Sequence, residues 1–215
     1  MENVHAGWRR KLMKYIADTV DFQLEEPTVV TLGKFDGRHR GHQKLLHTME
    51  ELKETLGYAT AIFTFSTAPL SLVTGEAATV ITTSEERRHN MEKMGIDYLV
   101  EYPFTDDVRK MDPSVFVKDI LVKRMRAKAM VVGPDCSFGY KGAGNVELLR
   151  SLSKELGFEL YVIQKEKDHR RDISSTYIRE ELSLGNVAKA QRRPPALPQA
   201  ACLPITHQKG PPLQE

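Results

Sequence analysis

Long apolar runs are missing from this sequence, none approaching the roughly 20 residues that span a bilayer. The basic group Trp8-Arg9-Arg10-Lys11 leads into Lys14, Asp18 and Asp21, not into the apolar core of a secretory leader. Cysteine is scarce. Cys136 and Cys202 stand far apart and match no disulfide or metal-ligand spacing, which suits a reducing cytosol. Charge of one sign is lacking too: the formal net charge is +2, so no chain-wide field favours nucleic acid. No carboxylate pair stands out for general acid/base work, and no Ser/His/Asp order is convincing. These absences predict a soluble cytoplasmic domain, with no membrane and no nucleic-acid partner. Its 215 residues allow one good core with length to spare for tails.

Two familiar phosphate loops are absent as well. No Gly-Lys-Ser/Thr follows a four-residue spacer, which excludes a Walker-type loop. The spacing Gly33, Gly37, Gly41 is not Gly-x-Gly-x-x-Gly, which excludes the dinucleotide fingerprint. What is present is Gly-Lys-Phe-Asp-Gly-Arg-His-Arg-Gly-His, from Gly33 to His42. It follows the apolar, β-branched run Thr28 to Leu32, which reads as a buried strand. It precedes Gln43 to Leu56, where Leu45, Leu46, Met49 and Leu52 share one helical face. The stretch is therefore a strand-to-helix crossing. A helix start offers unpaired N–H groups and a positive dipole end, glycines let the backbone approach an anion, and His39 and His42 add donors. This composition predicts a phosphate site.

Strands and helices then alternate along the chain. Ala59 to Phe65 reads as a strand reached through Gly57, and Thr83 to Glu86 as a capping box opening a helix that stops at Gly95. Asp97 to Tyr102 is a short strand, Asp112-Pro113 a helix start, and Ala129 to Gly133 a fully apolar strand. Asn145 to Leu156 is a helix ended by Gly157, followed by a strand from Glu159 to Ile163 and a helix from Ser175 to Leu184. Lys165 to Arg171 reads as a solvated face, and residues 1 to 26 show little pattern. The alternation predicts an α/β fold, a Rossmann-like doubly wound parallel sheet with helices on both faces. Ligands of such sheets sit at the carboxyl ends of the strands. From about Ala188 the chain becomes Pro-rich, predicting a folded unit over residues 14–187 and a disordered tail over 188–215.

Two further stretches carry chemistry. In Ile173-Ser174-Ser175-Thr176-Tyr177-Ile178-Arg179 the hydroxyls cap a helix start and suit phosphate, while Arg179 offers a fork of donors one turn in. Val132-Gly133-Pro134-Asp135-Cys136-Ser137-Phe138-Gly139 leaves an apolar strand at the ligand edge; Asp135 suits Mg²⁺ and Phe138 an aromatic ring. A zinc pair at His39 and His42 would need a third ligand. His47 points to another helix face, and Arg38 and Arg40 would repel a cation. For Asp36, capping the loop and contacting a ligand are both open.

His-x-Gly-His at a helix start resembles the signature of the nucleotidylyltransferase superfamily. The fuller Gly-x-Phe-Asp-Gly-x-His-x-Gly-His is similar to that of prokaryotic FAD synthetases, the FMN adenylyltransferase part of bifunctional riboflavin kinase/FMN adenylyltransferases. The Ile173 to Arg179 and Val132 to Gly139 stretches resemble motifs of the same group. The resemblance implies AMP transfer from ATP to FMN, with Mg²⁺, giving FAD and pyrophosphate. It implies that His39 and His42 contact the ATP phosphates and stabilise the transition state, and that Arg179 holds the leaving pyrophosphate. Gly33, Lys34, Phe35, Asp36, Gly37, Gly41, Ser174, Ser175 and Thr176 would bind ATP, and Phe65 and Phe138 would bind flavin. FAD synthetases usually show Thr-Phe-Asp-Pro-His-Pro where this chain has Thr64-Phe65-Ser66-Thr67-Ala68-Pro69, a change that bears on acceptor choice. The expected alternatives are another small-molecule nucleotidylyltransferase, such as one acting on a pantetheine phosphate, or an impaired nucleotide- or flavin-binding module. Nothing in the tail resembles a riboflavin kinase domain, so such a domain or a separate kinase is expected to supply FMN. Met13 offers an alternative start to Met1.

Overall fold

The computed structural model describes residues 12–36, 40–66, 82–165, 167–168, 171–172 and 175–185. Six parallel strands form one sheet: β1 (Lys14–Ala17), β2 (Thr28–Leu32), β3 (Ala59–Phe65), β4 (Tyr98–Tyr102), β5 (Ala127–Val132) and β6 (Glu159–Val162), in the order β1-β4-β3-β2-β5-β6. The sheet is parallel because helices return the chain between strands. They are α1 (Arg40–Leu56), α2 (Ser84–Lys93), a single-turn α3 (Asp106–Arg109), α4 (Pro113–Val115) running into a π-helix (Phe116–Arg124), α5 (Val146–Leu156) and α6 (Ser175–Ser183). Two-residue strands β7 (Lys167–Asp168) and β8 (Arg171–Asp172) pair antiparallel outside the main sheet.

Alternation of side chains across the pleat divides the core. Val29, Ile62, Leu99, Ala129 and Val131 meet Leu46 and Met49 of α1 and Met91 of α2 on one face. Val30, Ala61, Phe63, Val100, Met130 and Val132 meet the π-helix and α5 on the other. The fold is the Rossmann-like α/β sheet, covered on both faces, that the sequence predicts. Local signals place most boundaries. Thr83 and Glu86 form the reciprocal capping box of α2, Asp112 caps α4, Asn145 caps α5, and Gly57 and Gly157 take the left-handed backbone that ends α1 and α5.

The stretch read as patternless contains a strand. β1 is too short and too exposed to show alternation, and its place comes from pairing Lys14 to Ala17 with Tyr98 to Glu101. A partly buried network centred on Glu101 fixes it: the Tyr15 hydroxyl donates to Glu101 Oε2 at 2.6 Å, and Arg87 Nη2 donates to Glu101 Oε1 at 2.5 Å. Burial first, then the Glu101 carboxylate, pushes the Tyr15 hydroxyl up to about 12. Lys165 to Arg171, read as a solvated face, contributes the β7–β8 ladder, and α1 begins three residues earlier than the apolar pattern indicates.

At the amino edge of the sheet, buried Asp97 accepts from Lys53 Nζ at 2.7 Å and from the Thr60 amide at 2.8 Å. Burial raises its carboxyl pKa, but the Lys53 and Thr60 donors outweigh that and hold it below the ordinary 3.8. A depressed folded-state pKa adds stability above the unfolded value, and that stability is lost as pH falls through the folded value. Asp97→Asn is therefore expected to cost about 1–3 kcal/mol near neutral pH. The gap to wild type should close below about pH 4, as urea melts across pH would show.

Candidate functional site

After β2 the chain runs to β3 and β4 on one side, then crosses to β5 and β6 on the other. The carboxyl ends of β2 and β5 thus flank the switch point of the sheet, the crevice where open α/β sheets hold ligands. Two of the three predicted stretches leave these strands.

The loop after β2 is built inward. Gly33 donates its N–H to the Phe63 carbonyl at 3.1 Å, and a Cβ here would stand 3.3 Å from the Phe35 ring. Phe35 takes a left-handed backbone, φ 48°, and is only 2% exposed. A bulky residue rarely holds this conformation unless packing fixes it, and such outliers cluster at functional sites. Its ring lies 4.7 Å from the His42 imidazole at 35°. Phe35, predicted to touch ATP, is thus a buried buttress for His42, which projects from the first turn of α1. Gly41 lies in the same turn, and Lys34 is exposed.

Asp36 is 6% exposed and joins the two principal motifs. Its Oδ1 accepts from the Thr82 amide at 3.0 Å, and its Oδ2 accepts from Arg179 Nη2 at 2.6 Å, across 143 residues of sequence. The buried Nε–H of Arg179 has no partner among the described residues. Gly37, His39 and Ser174 lie outside the described residues, as do the side chains of Ser175 and Thr176.

The loop after β5 is fixed by packing. Phe138 exchanges backbone hydrogen bonds with Gly144 at 3.1 and 2.9 Å, and its 7%-exposed ring packs on Phe116 of the π-helix at 5.7 Å. Its ring therefore lies in the core. Phe65, half-buried at the end of β3, meets Phe104 at 4.8 Å. Leu32, Phe65, Phe104, Met111 and Cys136 are each partly buried and packed against the same core cluster. Burial first, then Asp135, pushes the Cys136 thiol up to about 12, so it stays protonated and is no nucleophile at neutral pH. Asp135 is exposed, with its carboxylate 2.8 Å from Lys165 Nζ.

Magnesium binds through one or two carboxylates plus substrate phosphates. No three ligating side chains cluster among the described residues, and Asp135 is engaged by Lys165. These side chains do not by themselves fit a magnesium cage. No described helix is long and apolar enough to cross a membrane.

The FAD synthetase family profile matches residues 21–177, spanning the Gly33 to His42 and Val132 to Gly139 stretches and reaching into the one that ends at Arg179. The chain belongs to the FAD synthetase family. The Escherichia coli K12 bifunctional riboflavin kinase/FMN adenylyltransferase is 32% identical over 168 residues, covering 78% of this chain and 54% of that protein. The Listeria monocytogenes protein of the same name is 30% identical over 176 residues, covering 81% and 55%. The chain spans about half the length of these curated relatives. Among solved structures, a Streptococcus pneumoniae chain described as a macrolide-efflux protein superposes with TM-score 0.71 at 26% identity, covering 83% of this chain and 58% of that one. A Francisella tularensis pantoate-beta-alanine ligase, solved with an ATP form and beta-alanine, superposes with TM-score 0.50 at 12% identity, covering 75% and 69%, a likeness of fold alone.

The pairing of Asp36 with Arg179, the buttress under His42 and the anchoring of Asp135 by Lys165 are features the sequence reading did not contain. The sequence signal nearest to the first was that both motifs sit at helix starts and carry donors suited to phosphate.

Proposed function

We propose that this FAD synthetase-family chain is an FMN adenylyltransferase, with residues 14–187 as the transferase unit. In this reading a phosphate oxygen of FMN attacks the α-phosphorus of ATP. The bond from that phosphorus to the bridging oxygen breaks, and pyrophosphate leaves. The acceptor is already an anion near neutral pH, so the work is to align two polyanions and stabilise charge around the α-phosphorus. His42, fixed on Phe35, supplies a preorganised donor, His39 and the helix start supply others, and Arg179 receives the leaving pyrophosphate. Gly33, Lys34, Gly37, Gly41, Ser174, Ser175 and Thr176 complete the ATP site. Phe65 with Phe104 offers aromatic surface to the flavin, and Phe138 supports the wall from within the core. Magnesium, in this reading, arrives on the nucleotide phosphates, and no step is assigned to it. FMN comes from a riboflavin kinase domain or a separate kinase, and the setting is cytoplasmic.

The observation that carries this reading is the contact between Asp36 and Arg179, which brings the first and second motifs to one point at the switch of the sheet. An acceptor panel tests it. With ATP and a magnesium salt, pyrophosphate release is expected with FMN and not with riboflavin or 4′-phosphopantetheine. Release with 4′-phosphopantetheine alone would move the chain to another branch of the superfamily. Binding of ATP and FMN without release would make it a binding module.

A further inference from the structure

Asp36 belongs to the first motif, yet its carboxylate is turned away from solvent and divided between two distant elements. One oxygen accepts from Thr82, which immediately precedes the capped start of α2, and the other accepts from Arg179 of α6. The α2 end of this brace is firm. Thr83 and Glu86 close a reciprocal capping box, and Arg87 of the same helix is bonded to the buried Glu101 of β4. A run of short contacts therefore links the sheet, through α2 and Asp36, to the guanidinium of Arg179.

We propose that Asp36 is a positioning residue that holds Arg179 at the crevice in the orientation needed to take a phosphate. This rests on the adenylyltransferase reading for the identity of that phosphate. The rival physical reading is competition, in which Asp36 occupies Arg179 and a phosphate must displace it. The donor inventory decides between them. A guanidinium has five N–H donors, and the contact with Asp36 is made through Nη2. The neighbouring Nε–H is buried, so the accessible part of the guanidinium is its amino end, where the donors that Asp36 does not engage are left for an incoming oxygen. The Arg179 side chain keeps 31% of its surface accessible, against 8% for Asp36, so the arginine meets solvent while its anchor does not. A freely turning guanidinium would have to be ordered at the moment of reaction, and loss of alignment of this kind costs up to about a hundredfold in rate.

A double-mutant cycle tests this. Asp36→Asn, Arg179→Ala and the double variant are compared with wild type for the kcat and KM of pyrophosphate release with FMN. ATP affinity without flavin and the melting temperature are measured alongside. Asp36→Asn is expected to lower kcat roughly tenfold to a hundredfold, with a smaller change in KM for ATP. In the Arg179→Ala background it is expected to cost less than about twofold, because nothing remains to be positioned. An equal cost in both backgrounds would show a merely structural role and overturn the proposal. Unchanged kinetics, or tighter ATP binding by Asp36→Asn, would overturn it as well, the latter in favour of competition. If Asp36→Asn does not fold, Asp36→Glu, which keeps the charge and displaces it by one methylene, takes its place. If wild type releases no pyrophosphate with any acceptor, the adenylyltransferase reading fails by itself. The cycle is then read on ATP affinity, where non-additivity supports the Asp36–Arg179 coupling and additivity or no effect rejects it.

Discussion

His42→Ala is expected to lower the rate of pyrophosphate release by about 10²–10³-fold, the loss typical of removing one preorganised donor to a developing oxyanion. The KM for ATP is expected to change by only about threefold, because the donor matters most where charge is greatest, in the transition state. The structure makes the donor preorganised. The Phe35 ring, itself buried, lies against the imidazole, so the rotamer is set before any ligand arrives. His42→Asn, which keeps an N–H donor on a shorter stem, should recover part of the loss. A variant with unchanged kcat would remove His42 from the chemistry. One with unchanged kcat and a greatly raised KM would make it a ground-state contact only.

Gly139→Ala is expected to be the most destabilising single-methyl addition near the crevice. Gly139 has φ 71°, where a side chain is strained, and its added Cβ would lie 2.7 Å from the Cα and Cγ atoms of Pro113. Backbone strain and overlap together are expected to cost about 2–4 kcal/mol, a large part of the stability of a typical domain. Gly144→Ala meets a different obstacle. Its backbone is ordinary, but its Cβ would fall 2.4 Å from the Phe138 ring, which is held against Phe116. About 1–3 kcal/mol is expected there, with weaker flavin binding as the loop after β5 shifts. Urea unfolding gives both costs. Wild-type midpoints for both variants would mean that this loop does not pack as described.

These two glycines show what is legible in a sequence and what is not. Thr83 with Glu86, Asn145 with Leu148, and the glycines ending α1 and α5 act within a few residues, so their signals can be read directly and their helices begin or end where expected. The strand-to-helix crossing at Gly33 to His42 was legible for the same reason. Non-local partners were not. Asp36 and Arg179 were each singled out, but a contact across 143 residues has no spacing to reveal it. Phe138 read as a ring offered to a ligand, because nothing nearby shows that Phe116 lies beneath it. Phe116 faces it from a π-helix, whose wider turn shifts the register of its apolar residues away from the 3.6-residue pattern. The left-handed backbone of Phe35 was hidden too, since phenylalanine seldom adopts it without tertiary support. β1 is defined by the edge it joins more than by its own four residues.

Adenylyl transfer from ATP to FMN at this crevice fixes where each phosphorus atom must go. The most direct measurement follows ATP labelled at the α- or the γ-phosphorus through reaction with FMN. The α label is expected in FAD and the γ label in pyrophosphate, in equal amounts. Both yields are expected to fall together in His42→Ala. Transfer of the γ label onto flavin would contradict adenylyl transfer, and so would retention of both labels in ATP while ATP and FMN are bound.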